Sequence, residues 1–222
     1  MTCSVVTLTT HGIGATSRQL APGEDATWVS VEQFEQVLDA AVGREDVRLT
    51  FDDGNASDLE IALPRLLERG LTAEFFVLAG LLGEPGRLDA HGVKELVRAG
   101  MSVGSHGWAH RDWRRLDAKQ VNDELVEAPR VLAELTGQRV STVAIPFGSY
   151  DRIVLARLRR VAMTRVYTSD GGRSRPDIWL QPRNSLRFDV DSQWTKTVLD
   201  ERPPLPLRLR RLTARLVKRV RG

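Results

Sequence analysis

The stretch VRLTFDDGN, residues 47–55, sets two adjacent acids at the end of an apolar run. Val47, Leu49 and Phe51 alternate as in a short strand, and Gly54 then permits a tight turn. Two like charges at the mouth of a buried strand repel each other and resist desolvation, so one or both need a partner. The plainer reading of Asp52-Asp53-Gly54 is a turn that caps the following helix.

Outward from this stretch, short β-rich runs alternate with helical patterns. SVVTLT (4–9) reads as a strand. Ser30 with Gln33 forms a capping box ahead of a helix whose apolar stripe is Val31, Phe34, Val37, Leu38 and Ala41, stopped by Gly43. After strand 47–51 comes a helix over 57–69, where Pro64 predicts a kink. Strands at 73–78, 101–104, 141–145 and 165–169 alternate with helices at 91–100, from the Asp117 cap to Gly137, and at 151–162; an extended piece lies near 184–190. Six or seven β/α repeats imply one domain with a mainly parallel sheet, either a closed or partly closed barrel or an open doubly wound sheet. The rhythm divides the chain into a domain at 1–200 and a Pro-containing linker with a basic tail at 201–222.

Composition narrows the class. The 222 residues are 41% hydrophobic and 27% charged, ordinary for a soluble globular protein. Cys3 is the only cysteine, which excludes an intrachain disulfide and argues against a cysteine-based zinc site. No apolar run approaches the ~20 residues that span a bilayer, and the N-terminal residues lack the pattern of a signal peptide. A cytoplasmic protein is expected, peripheral to the inner face of the membrane if the tail binds lipid. Residues 205–222 carry seven basic groups and no acid; removing those seven from the net charge of +3 leaves the other residues at −4. The basicity belongs to the tail, so the chain does not read as a nucleic-acid binder.

Chemistry in parallel β/α folds gathers at the C-terminal ends of the strands. Asp52 and Asp53 follow one strand, His106 and His110 in SHGWAH another, PFGSYD (146–151) a third, and His11 in THGIG the first. His91, at the front of a helix, reads as a surface residue. Two imidazoles four residues apart can share an ion, although exposed loop histidines are the bland alternative. With one carboxylate they make a facial triad for Zn²⁺ or a similar divalent cation, and the second carboxylate remains to act as general base.

TFDDG (50–54), SHGWAH (105–110) and IPFGSYD (145–151) together resemble three signature motifs of the NodB-homology polysaccharide deacetylases, carbohydrate esterase family 4. The resemblance covers about residues 1–190. It implies a distorted (β/α)7 barrel that removes acetyl groups from sugars with a divalent metal, zinc first, with cobalt or nickel as alternatives. It makes Asp52 the general base, and Asp53, His106 and His110 the metal ligands. The backbone N–H of Phe147 becomes an oxyanion donor.

Two departures stand out. Ala144 occupies the position of an arginine that orients the base, and no histidine follows His110 to supply a general acid. LTTHGIG (8–14) is similar to the first-strand motif of the circularly permuted branch, where that histidine's strand comes first; His11 is then the general acid, against the alternative of a turn histidine. Arg183 in QPRN is placed with the substrate-side residues and as a stand-in for the missing arginine. Trp108, Trp113 and Tyr150 are candidates to stack on a pyranose ring, or else core residues.

The expected activity is hydrolysis of an N-acetylated sugar by attack of metal-bound water. The alternatives are an amidohydrolase acting on a non-sugar C–N bond and a metal-retaining carbohydrate-binding pseudoenzyme. Residues 205–222 carry a helical stripe of Leu209, Leu212, Leu216, Val217 and Val220 beside arginines. They read as a helix covering the barrel, a disordered basic end, or an anchor on an anionic membrane surface.

Overall fold

The computed structural model describes residues 4–16, 18–200 and 205–221; of the expected linker and tail over 201–222, residues 201–204 and 222 lie outside the described residues. Eight strands hydrogen-bond side by side in the order Leu180–Pro182, Arg165–Thr168, Thr142–Ala144, Ser102–Ser105, Ala73–Val77, Val47–Asp52, Val5–Thr10 and Asn184–Ser185. Every neighbouring pair along this path is parallel. Arg173–Ser174 adds an antiparallel bridge onto Val5–Val6, and Gly12–Ile13 pairs separately with Trp28–Val29. All six residues of VVTLTT in the first strand are buried, as expected where helices and loops cover a parallel sheet on both faces.

The two ends of the sheet path are joined in sequence by one residue. Strand Leu180–Pro182 lies at one end, Asn184–Ser185 at the other, and Arg183 connects them. The sheet is therefore a nearly closed, barrel-like surface with Arg183 at its seam, which agrees with the expected distorted barrel. Backbone bonds hold the seam: Arg183 N–H donates to the Thr168 carbonyl (2.8 Å), and Gly171 N–H donates to the Arg183 carbonyl (3.0 Å).

Helix α1, Val31–Ala41, starts at the Ser30–Gln33 capping box and packs Phe34, Val37, Leu38 and Ala41 inward. Phe34 meets Phe51 edge-on, and Phe51 stacks on Phe75 at 4.5 Å, tying α1 to the central strands. The helix expected over 57–69 begins as a π turn, Asp58–Ala62, and continues as α2, Leu63–Glu68, with Pro64 in its first turn. The helix from the Asp117 cap to Gly137 divides likewise: α3, Ala90–Arg98, precedes it; then come α4, Ala118–Asn122, a π turn over Asp123–Glu127, and α5, Ala128–Thr136, with Pro129 in its first turn. Proline has no N–H and crowds the carbonyl four residues back, and the wider π turn accommodates both problems. Helix α6, Arg152–Arg160, is capped by Asp151.

Past the seam the structure departs from the expectation. The piece expected as extended near 184–190 is a strand only at Asn184–Ser185, and an unanticipated helix α7, Ser192–Asp200, follows. The signals were present: Asp191 caps Trp194 N–H at 2.7 Å, and Thr195 and Leu199 are buried. Helix α8 spans Leu205–Val220. Among the described residues no helix is long and apolar enough to cross a membrane.

Candidate active site

The strand ends converge on a cleft of about 670 Å³ that His11, Asp52, Asp53, His106, His110 and Arg183 help to line. Successive side chains of a strand alternate between faces, yet Asp52 and Asp53 both reach this cleft. The strand ends at Asp52, and Asp53 adopts a left-handed φ of 77°. His110 (φ 53°) and Phe147 (φ 58°) share that conformation and also line the cleft. A non-glycine residue held in the left-handed region costs free energy, and such residues cluster where function dictates geometry.

Asp53, His106 and His110 each present a ligand atom, and these atoms lie within 4.8 Å of one another. Asp53 Oδ1 is 3.4 Å from His106 Nε2 and 3.6 Å from His110 Nε2. His106 Nδ1–H donates to the Ala144 carbonyl at 2.8 Å, which leaves the Nε2 lone pair facing the aspartates. Burial, seconded by His106, lowers the pKa of His110 and keeps its imidazole neutral. Burial raises the pKa of Asp53, but the neighbouring His106, His110 and His11 outweigh it, and the carboxyl stays below its ordinary value. Asp53 Oδ1 is buried with no hydrogen-bond partner among the described residues. A buried, charged oxygen without a donor, facing two imidazole nitrogens, fits a divalent cation.

Asp52 is held differently. Arg183 Nη1 and Nη2 each donate to one of its oxygens at 2.6 Å, a bidentate pair whose side chains are 1% and 2% exposed. Burial pushes the Asp52 pKa up, and the Arg183 guanidinium pulls it far below the usual carboxylate range, helped by His106 and His11. Arg183 also lies over the rings of Phe76 and Tyr167, at 5.4 and 5.7 Å. The guanidinium that the sequence lacks at position 144 thus enters from the barrel seam. His11 Nε2 is 3.9 Å from Asp52 Oδ2, so the first strand of the chain delivers its histidine to the same cleft.

Several expected substrate residues fall elsewhere. Trp113 is fully buried, and its indole N–H donates to Glu124 (3.2 Å). Tyr150 is also core: its hydroxyl donates to Asp170 at 2.8 Å, and burial, with Asp170, drives its pKa up. Trp108 lies against Gly80, where an added Cβ would come within 2.4 Å of the indole, and does not line the cleft. Arg183 does line the cleft, with both terminal nitrogens engaged by Asp52. The indole that does line the cleft is Trp194, carried by α7, and Phe147 adds a ring that is 66% exposed. His91 is on the surface, as expected.

Three further groups shape the site. Arg87 Nη1 donates to the Asp53 carbonyl and to Asn55 Oδ1, both at 3.0 Å. Glu124, fully buried on the π turn, accepts the backbone N–H groups of Trp108 (2.8 Å) and Ala109 (3.1 Å), fixing the loop between His106 and His110. An acid among the buried positions of that helix, beside Leu125, Ala128 and Leu132, was the available signal. Asp58 is buried, with no hydrogen-bond partner on either oxygen among the described residues; burial, then Asp53 and Asp52, raises its pKa well above normal, which favours the neutral acid.

The sequence profile described as polysaccharide deacetylase matches residues 39–166. The chain is 29% identical over 110 residues to the peptidoglycan-N-acetylglucosamine deacetylase PgdA of Listeria monocytogenes, covering 49% of this chain and 22% of that protein. It is 28% identical over 151 residues to a chitooligosaccharide deacetylase of Bradyrhizobium sp. (strain ANU 289), covering 67% and 63%. In both cases the matched part is less than two thirds of the relative's own length. The fold is similar to that of the Streptococcus pyogenes deacetylase PplD, solved in complex with acetate: TM-score 0.77, 20% identity, 90% of this chain and 100% of that one.

Proposed function

This chain belongs to the polysaccharide deacetylase family, and on that premise we propose that it is a metal-dependent hydrolase that removes the acetyl group from an N-acetylated sugar. The observation that carries the reading is the Asp53–His106–His110 ligand set with a separately held carboxylate, Asp52, and a further imidazole, His11, in the same cleft.

Asp53, His106 and His110 would hold the cation, and two imidazoles with one carboxylate suit Zn²⁺, with Co²⁺ or Ni²⁺ as substitutes. When bound, such an ion supplies Lewis-acid chemistry that polarises the amide carbonyl and acidifies water, which suits a base as weak as an arginine-paired carboxylate. Asp52 accepts the proton of the attacking water, and Arg183 keeps it ionised and oriented for that task. The backbone N–H of Phe147 is assigned to the developing oxyanion, where one such donor is worth about 3 kcal/mol. His11, as imidazolium, gives its proton to the departing amine nitrogen, so that acetate and the free amino sugar leave together. The faces of Trp194 and Phe147 offer apolar surface for the sugar ring.

The test is acetate release from N-acetylated chitooligosaccharides by the wild type, Asp52→Asn and His11→Ala, with metal content measured on each. Asp52→Asn is expected to retain metal and lose activity, and His11→Ala to slow release of the amine product. Undiminished acetate release by Asp52→Asn would end the assignment.

A further inference from the structure

Helix α8 is fastened to the body by its basic side and turns its apolar side to solvent. Lys218 Nζ donates to Asp170 Oδ1 (2.7 Å) and to the Gly148 carbonyl (3.1 Å), and lies 5.1 Å from the centre of the Tyr150 ring. Arg215 donates to the Gly171 carbonyl, and Arg152 N–H donates to the Arg221 carbonyl at 3.0 Å. On the other side Leu205, Leu209, Leu212, Leu216 and Val220 follow one another three or four residues apart, each 57–68% exposed. An amphipathic helix ordinarily buries such a stripe against its own domain. Here the Lys218–Asp170 pair holds it outward.

We propose that this stripe is a docking surface for an anionic lipid bilayer. Charge selects the occupant. Arg210 and Arg219 are exposed on the same helix and Arg221 just past its end, and no acid occurs between residues 205 and 222. Leucines and valines flanked by arginines match an interface in which the stripe enters the acyl boundary and the guanidinium groups meet anionic headgroups. A second copy of this chain is a poor occupant, since two such helices laid stripe to stripe would bring like charges together. The rest of the chain is net acidic, so the attraction is confined to this helix. Gly148, which receives Lys218, follows Phe147, and Gly171, which receives Arg215, itself lines the cleft. Docking therefore sets the cleft beside the lipid surface.

The experiment is sedimentation of the full chain with vesicles of phosphatidylcholine alone or mixed with phosphatidylglycerol. The wild type is expected to partition about 100-fold better onto the anionic vesicles, counting Arg210, Arg219 and Arg221 at about 1 kcal/mol each. Arg210→Gln/Arg219→Gln should forfeit roughly 30-fold of that preference. Leu209→Glu/Leu216→Glu, at positions already in solvent, should remain in the supernatant while keeping the wild-type melting curve and acetate release from soluble oligosaccharide. Three results would overturn the proposal: wild type that stays soluble with both vesicle types, equal binding to both, or a wild-type dimer in solution that the double glutamate variant dissolves. Loss of acetate release by the wild type itself would instead count against the deacetylase reading and leave the vesicle result standing.

Discussion

Replacing Arg183 with methionine removes the countercharge that touches both oxygens of Asp52. The side chains are 1% and 2% exposed, and the two contacts are 2.6 Å each. Methionine fills similar space and supplies no donor, so a buried carboxylate is left without its guanidinium. Breaking such a pair by removing one partner costs about 3–5 kcal/mol, which for a chain of this size lowers Tm by roughly 6–20 °C. The pH dependence has a definite sign. Asp52 has a depressed pKa in the folded wild type, so the pair's contribution is present above the carboxyl's unfolded value and lost as acid protonates the folded form. The Tm gap between the two proteins should be full at neutral pH and narrow in acid.

The catalytic consequence follows from the same balance. Burial, no longer opposed by Arg183, pushes the Asp52 pKa upward and protonates the proposed base. Acetate release should fall by about 10²–10⁴-fold, the usual worth of general-base catalysis. The acid limb of kcat/KM should move to higher pH. Arg183→Lys keeps a charge without the planar fork and should lie between the two proteins on both readouts. The assay is acetate release across pH beside thermal unfolding, with metal content measured on each sample. A variant Arg183→Met with the wild-type pH profile would refute the argument that Arg183 acts through Asp52.

Glu124→Gln leaves one amide oxygen where two carboxyl oxygens meet three N–H groups; loosening the His106–His110 loop should weaken Zn²⁺ binding about 10–100-fold in a competition titration with a chelating dye. Gly107→Ala forces a side chain onto a φ of +89° and its Cβ to within 2.1 Å of Glu124; thermal unfolding should show a loss of well over 1 kcal/mol. Asp58→Asn should stabilise the metal-free protein by an amount that grows with pH. The raised folded pKa of Asp58 makes its wild-type contribution complete only below the unfolded value and lost as pH rises. Equal Tm differences at pH 4 and pH 7 would contradict the neutral buried acid.

Much of this protein is local and therefore legible in its sequence. The Ser30 capping box, the Asp117 cap, the glycine stops and the alternation of strand and helix depend on hydrogen bonds within a few residues, and the structure has them where the pattern set them. Asp52, Asp53, His106, His110 and His11 were recognisable because each follows a strand, and the C-terminal ends of parallel strands share one side of a sheet. Only the folded chain decided the rest. Arg183 and Asp52 stand 131 positions apart and meet because the barrel closes at a one-residue seam, which no local pattern encodes. Trp113 and Tyr150 are amphipathic rings equally suited to a cleft or a core, and packing put both inside while α7 brought Trp194 to the cleft. The stripe on α8 was visible in its periodicity, but its direction was set by Lys218 and Asp170, an ion pair across 48 positions that turns the apolar side outward. Periodicity says which residues share a face; only the surrounding structure says what that face meets.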